Sequence, residues 1–159
     1  MNGADAWRSV RATLRFVRAL LVTAWLYSVW FGGHVVLAVA SQRRARWRRA
    51  LMRRWCASMC AALGVRIEVV GTAPRGGVFL VSNHLSYLDI LVLGSALDTV
   101  FVSKAEIADW FGIGFLARRF GTIFVARGRK RALPDVVRAI AVALEGGDGV
   151  VVFPEGTST

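Results

Sequence analysis

Val78-Phe79-Leu80-Val81-Ser82-Asn83-His84-Leu85-Ser86-Tyr87-Leu88-Asp89 carries the organisation of the chain. Its opening residues form a continuous apolar run, the pattern of a strand buried on both faces. A polar loop follows, and residues 88–97 then read as a helix. The alternation continues on both sides. Upstream, 66–70 reads as a strand and the Gly-rich 71–77 as a turn. Downstream, 100–103 reads as a strand, and 106–120 as one or two helices broken by Gly112 and Gly114. Residues 122–126 form another strand. Residues 134–144 read as a helix: Pro134 suits its first turn, and Val137, Ile140, Ala141 and Leu144 make its apolar face. Gly146-Gly147 stops it, and 149–153 is the last strand. Strands alternating with helices predict an α/β domain with a mixed, mostly parallel sheet flanked by helices.

Composition narrows the function. The chain has 159 residues, with 21 Lys+Arg against 10 Asp+Glu, for a formal net charge of +11. Yet 55% of it is hydrophobic and its mean hydropathy is +0.50. That excludes a disordered chain, and two cysteines exclude a disulfide scaffold. A basic, apolar chain points to an anionic membrane surface or to phosphate-bearing partners.

The N-terminal third supplies the membrane signal. Residues 19–42 carry no charge, and these 24 residues would make a helix about 36 Å long. A single span, or a hairpin turning at Gly32-Gly33, fits equally; the apolar core is too long for a secretory signal. Seven arginines follow: Arg43, Arg44, Arg46, Arg48, Arg49, Arg53 and Arg54. Trp47, Leu51, Trp55 and Met59 recur among them at four-residue spacing, giving an amphipathic helix suited to an anionic interface. Cys56 and Cys60 read as small buried hydrophobes. Nucleic acid is not expected as a partner, since no nucleic-acid motif accompanies the charge. The organisation is therefore 1–60, membrane-associated helices, and 61–159, a catalytic domain. That domain stops just after a buried strand has delivered a polar loop, and so reads as incomplete.

Three polar loops leave three strand ends, where ligands of open α/β sheets bind. In the first, His84 precedes Asp89 by five residues. Histidine is suited to general-base work near neutral pH, and an aspartate one turn into a helix would orient the imidazole. The two residues would serve equally as helix caps, and spacing leaves both readings open. In the second, Arg127, Arg129, Lys130 and Arg131 surround Gly128, either a phosphate site or a solvated basic loop. In the third, Phe153-Pro154-Glu155-Gly156-Thr157, Glu155 would bind a hydroxyl and the amides a phosphate, or the segment is a plain turn. No Ser elbow and no Cys near His84 offers a nucleophile, so direct transfer from a bound donor to an acceptor hydroxyl is favoured. Gly112, Gly114 and Ala117 fit a dinucleotide fingerprint on paper, but they follow a helix rather than a strand.

At these residues the chain resembles the glycerolipid acyltransferase family that includes 1-acylglycerol-3-phosphate acyltransferase. The first block, N-H-x-x-x-x-D, is matched by Asn83, His84 and Asp89. Lys104 and Glu106 match its Lys-x-Glu pattern. Gly121, Ile123, Phe124 and Arg127 match the second block, and residues 153–157 match F-P-E-G-T without a gap. The resemblance covers 65–159. It implies the glycerolipid acyltransferase fold, with His84 deprotonating an acceptor hydroxyl that attacks an acyl thioester, and Asp89 orienting His84. It assigns Asn83, Lys104, Arg127, Glu155, Gly156 and Thr157 to substrate binding, with Lys104 holding the acceptor or the developing oxyanion. No metal or cofactor is implied; acyl-CoA or acyl-carrier protein is a co-substrate. The product would be phosphatidate, made at the cell inner membrane with the catalytic domain on the cytoplasmic side. Ser158 stands where lysophosphatidate acyltransferases commonly carry Arg, and Ala126 where an acidic or amide residue is frequent. Lyso-ornithine lipid or another lysophospholipid is therefore the alternative acceptor, and a non-catalytic membrane-binding module the alternative class. The family's fourth block would lie beyond Thr159.

Overall fold

The computed structural model describes residues 3–36, 41–126 and 133–154. Helix α1, Gly3–Val36, has 34 residues and is about 51 Å long. It is long and apolar enough to cross a membrane, over Asp5–Gly33. Helix α2, Ser41–Leu63, returns antiparallel along it. The Trp55 indole N–H donates to the Thr23 hydroxyl at 3.1 Å, and Leu51 buries against Leu26 and Trp30.

A turn at Gly32-Gly33 is not what forms. Both glycines are helical, inside the unbroken α1. A Cβ on Gly33 would collide with the Trp47 indole. The glycine is there for close approach of two helices, not for bending one.

The sheet contains β1, Phe79–Val81; β2, Thr99–Lys104; β3, Ile123–Val125; and β4, Gly149–Val152. Its order is β1-β4-β2-β3 and every pair is parallel. The register sets Leu80 against Val151 and Val151 against Phe101. Helix α3, Leu88–Ala96, joins β1 to β2. A short 3₁₀ segment, Ala105–Asp109, and α4, Ile113–Arg119, join β2 to β3. Helix α5, Leu133–Glu145, precedes β4. Because that connection runs back across the sheet, right-handed crossovers put α5 on the face opposite α3 and α4. Residues 66–70 do not form the expected strand: no described strand pairs with them, and Val69 and Val70 are exposed.

The core lies between the sheet and α2 to α4. Met52 and Cys56 of α2 pack with Phe101, Phe120 and Val151, and Ile90, Leu91 and Leu93 of α3 close around them. Cys56 and Cys60 are buried as expected. Burial, and then the neighbouring Cys60, push the Cys56 thiol up to about 12, so it stays a neutral, unreactive hydrophobe.

The arginines of α2 are not all a lipid-facing surface. Arg48 and Arg49 both pair with the buried Asp148, at the turn before β4. Arg53 pairs with Asp98, before β2, at 3.2 Å. These three cations fasten the helical hairpin to the loops at the amino ends of the central strands.

Candidate active site

A parallel sheet delivers all its carboxyl ends to one edge. The Ser82 N–H donates to the Val152 carbonyl at 3.1 Å, extending the β1–β4 pairing by one residue before the chain departs as Asn83-His84. β4 emerges beside it as Phe153. β2 ends at Lys104, paired with Val125 at the end of β3. The four described strand ends thus face the same rim.

The imidazole of His84 is held along two directions. Its Nδ1 lies 3.1 Å from Asp89 Oδ2. An ionised carboxylate can only accept, so Nδ1 carries the proton, which leaves the lone pair of the neutral imidazole on Nε2. The Phe153 ring stacks on the imidazole, with centroids 4.2 Å apart and planes 23° from parallel. Phe153 in turn stacks over Phe101 of the core, at 6.1 Å and 8°. Tyr87 meets the imidazole edge-on at 6.4 Å. The His84 side chain is only 13% exposed.

Asp89 is held as firmly. The same Oδ2 accepts from the Leu85 N–H at 2.7 Å and the Ser86 N–H at 2.9 Å. Ser86 Oγ accepts the Leu88 N–H at 3.1 Å, capping the first turn of α3. Burial raises the Asp89 carboxyl, but hydrogen bonds from the Ser86 and Leu85 amides and from His84 outweigh it, so the group sits below its ordinary value. Its place in the first turn of α3 favours the anion further. Orienting and capping were alternatives in the sequence; here the Asp89 oxygen orients His84 and binds two loop amides that precede α3, rather than capping the helix.

Of the other expected site residues, Asn83 is exposed in the loop just before His84, and Lys104 is half-buried where β2 ends. Lys104 lies two strands from β1, about 10 Å at ordinary strand spacing. Arg127, Glu155, Gly156 and Thr157 lie outside the described residues. Gly112, Gly114 and Ala117 follow a 3₁₀ segment, not a strand. Sequence reading missed the Phe153 ring as a partner of His84, because nothing local couples residues 69 positions apart. The Ser86 cap had a signal: a hydroxyl residue two positions before the start of a helical pattern.

A family model described as Acyltransferase matches residues 65–159. The chain belongs to the acyltransferase family. That acyltransferase match takes in all four described strands and the His84–Asp89 pair. Among curated relatives, lyso-ornithine lipid O-acyltransferase of Pseudomonas aeruginosa is 40% identical over 112 residues, covering 70% of this chain and 43% of the relative. The protein of that name from Rhizobium meliloti is 43% identical over 113 residues, covering 70% and 39%. 1-acyl-sn-glycerol-3-phosphate acyltransferase of Neisseria gonorrhoeae is 34% identical over 101 residues, covering 62% and 40%. The chain thus spans about four tenths of the length of these relatives. The crystal structure of the 1-acyl-sn-glycerophosphate acyltransferase PlsC from Thermotoga maritima shares the fold, with a TM-score of 0.59 at 21% identity. That match covers 91% of this chain and 64% of PlsC.

Proposed function

We propose that this acyltransferase-family chain carries the catalytic base of an O-acyltransferase acting on lyso-lipids in a membrane. The observation that carries the reading is the His84–Asp89 pair, with Nδ1 committed to the carboxylate and Nε2 free of protein partners among the described residues. Nε2 takes the proton of the acceptor hydroxyl as its oxygen attacks the thioester carbon of acyl-CoA or acyl-carrier protein. A C–O bond forms, the tetrahedral oxyanion collapses, and the C–S bond breaks. The imidazolium, stabilised by Asp89, returns its proton to the departing thiolate. Lys104, Arg127 and residues 155–157 would bind the acceptor and the developing charge from neighbouring strand ends. The reaction site would face the cytoplasmic side of the inner membrane.

Two acceptors compete. 1-Acylglycerol-3-phosphate, giving phosphatidate, suits the cationic residues 127–131. Lyso-ornithine lipid is favoured by Ser158, which removes one phosphate contact, and by the names of the relatives at 40% and 43% identity. Membranes carrying the full-length gene product would be given an acyl thioester and each lyso-lipid, with products read by mass spectrometry. We expect a diacyl ornithine lipid or phosphatidate above the level of empty membranes. Acylation of neither acceptor, or of any other lyso-lipid, by well-expressed protein would sink the reading.

A further inference from the structure

We propose that the turn Trp110-Phe111-Gly112-Ile113 is a second membrane-contacting element that seats the His84 site against the bilayer surface. Its partner is a phospholipid bilayer. The argument starts from how rigidly the turn is built. Gly112 has φ +73°, which reverses the chain between the 3₁₀ segment and α4. The Gly114 N–H donates to the Trp110 carbonyl at 2.8 Å, and the Ile113 N–H to the Phe111 carbonyl at 2.8 Å. Gly114 is buried so tightly that a Cβ there would collide with the Ala108 carbonyl. The aromatic tip is therefore fixed, and Phe111 at its apex is fully exposed, with Ile113 and Trp110 exposed beside it. A rigid turn that holds its largest apolar side chain in the open is what an apolar medium would receive.

Continuity with the apolar helix identifies that medium. Phe115, in the first turn of α4, meets Tyr27 of α1 with ring centroids 5.5 Å apart. The exposed apolar face of α1 that Tyr27 shares with Phe31, one turn on, thereby joins that of the turn. α1 is the helix long and apolar enough to enter a membrane. Arg119 lies over the Trp30 and Phe115 rings at 4.7 Å and 5.0 Å, placing a cation at the border of this surface where lipid phosphates lie. On the other side, Trp110 approaches Tyr87 at 6.4 Å, and Tyr87 is the ring at the edge of His84. Trp and Tyr are the residues that settle at the headgroup level. Ring contacts join the flanks of the turn to α1 through Phe115 and to the imidazole through Tyr87, so a lyso-lipid in the outer part of the leaflet would present its headgroup at the rim.

The test measures contact rather than turnover, so it stands apart from the acyl-transfer reading. Cys56 and Cys60 are buried and inert, so with any cysteine outside residues 1–159 replaced by serine, a cysteine at Phe111→Cys takes a fluorophore selectively; Val137→Cys, exposed on α5 behind the sheet, is the control. The full-length protein is reconstituted in vesicles with bromine on shallow acyl positions, and iodide is the aqueous quencher. The proposal expects bromolipid quenching at position 111 but not at 137, with iodide acting in the reverse order. Phe111→Ser should also weaken vesicle binding of detergent-released protein by roughly tenfold, and Phe111→Trp should preserve it. Iodide quenching at 111 equal to that at 137 would overturn the proposal. So would a label shielded from both quenchers, which would mean that protein covers the turn.

Discussion

One carboxylate oxygen of Asp89 fixes the imidazole tautomer and ties two loop amides to the start of α3. Its removal should therefore damage chemistry and stability together. Asp89→Asn keeps the shape but can offer its NH₂ to Nδ1, which selects the wrong tautomer. We expect transfer to fall by about 10³–10⁴. Stability should fall too, with a definite pH dependence. The folded-state value of Asp89 lies below its unfolded one, so its contribution is complete above the unfolded value of 3.8 and is lost as pH falls through the folded value. Urea unfolding should separate wild type from Asp89→Asn at pH 7 and bring them together on acidification below pH 3.8; a pH-independent gap would contradict this. The pair itself was legible in the sequence, because a strand end, a five-residue interval and a helix start are local features. The Phe153 stack was not, because it depends on β4 inserting beside β1.

Helix α2 shows how an element's chemistry can be read correctly and its destination wrongly. Its four-residue apolar spacing was plain: Leu51 is buried, and Trp47, Trp55 and Met59 are half-buried. Its arginines looked like one lipid-facing surface, yet Arg48, Arg49 and Arg53 turn to Asp148 and Asp98. Ion pairs between residues 45 to 100 positions apart leave no trace in a local pattern. Span and turn at Gly32-Gly33 stayed equal alternatives in the sequence for a related reason: a helix-breaking propensity of about 1 kcal/mol is overridden when a Trp must pack against the backbone. Likewise, 66–70 reads as a strand but finds no partner strand among the described residues. Asp148→Asn leaves two cations sharing one neutral acceptor at a buried position. It should destabilise the fold by about 2–4 kcal/mol, the lower part of the range for a broken buried pair because the arginines keep some solvent. Thermal unfolding in detergent would read this, and an unchanged Tm would show the contact to be dispensable.

The whole molecule is a device for bringing residues scattered over seventy positions to one rim. Alternating strands and helices foretold an α/β sheet with its polar loops at strand ends, and the parallel pairing realises it. The order β1-β4-β2-β3 was not foretold, because strand order is set by which faces the helices cover. That order puts the segment after β4 directly beside His84, where Phe153 stacks. The helical hairpin is built into the same core through Met52 and Cys56, so the apolar helices and the His84 rim belong to one folded unit. The central claim is that His84 is the base at this rim. The direct measurement is the rate of acyl transfer from a labelled thioester to the productive lyso-lipid, in membranes bearing equal amounts of wild type and His84→Ala. We predict a loss of at least about 10²–10⁴ with membrane association unchanged. A variant that retained near wild-type turnover would contradict the account.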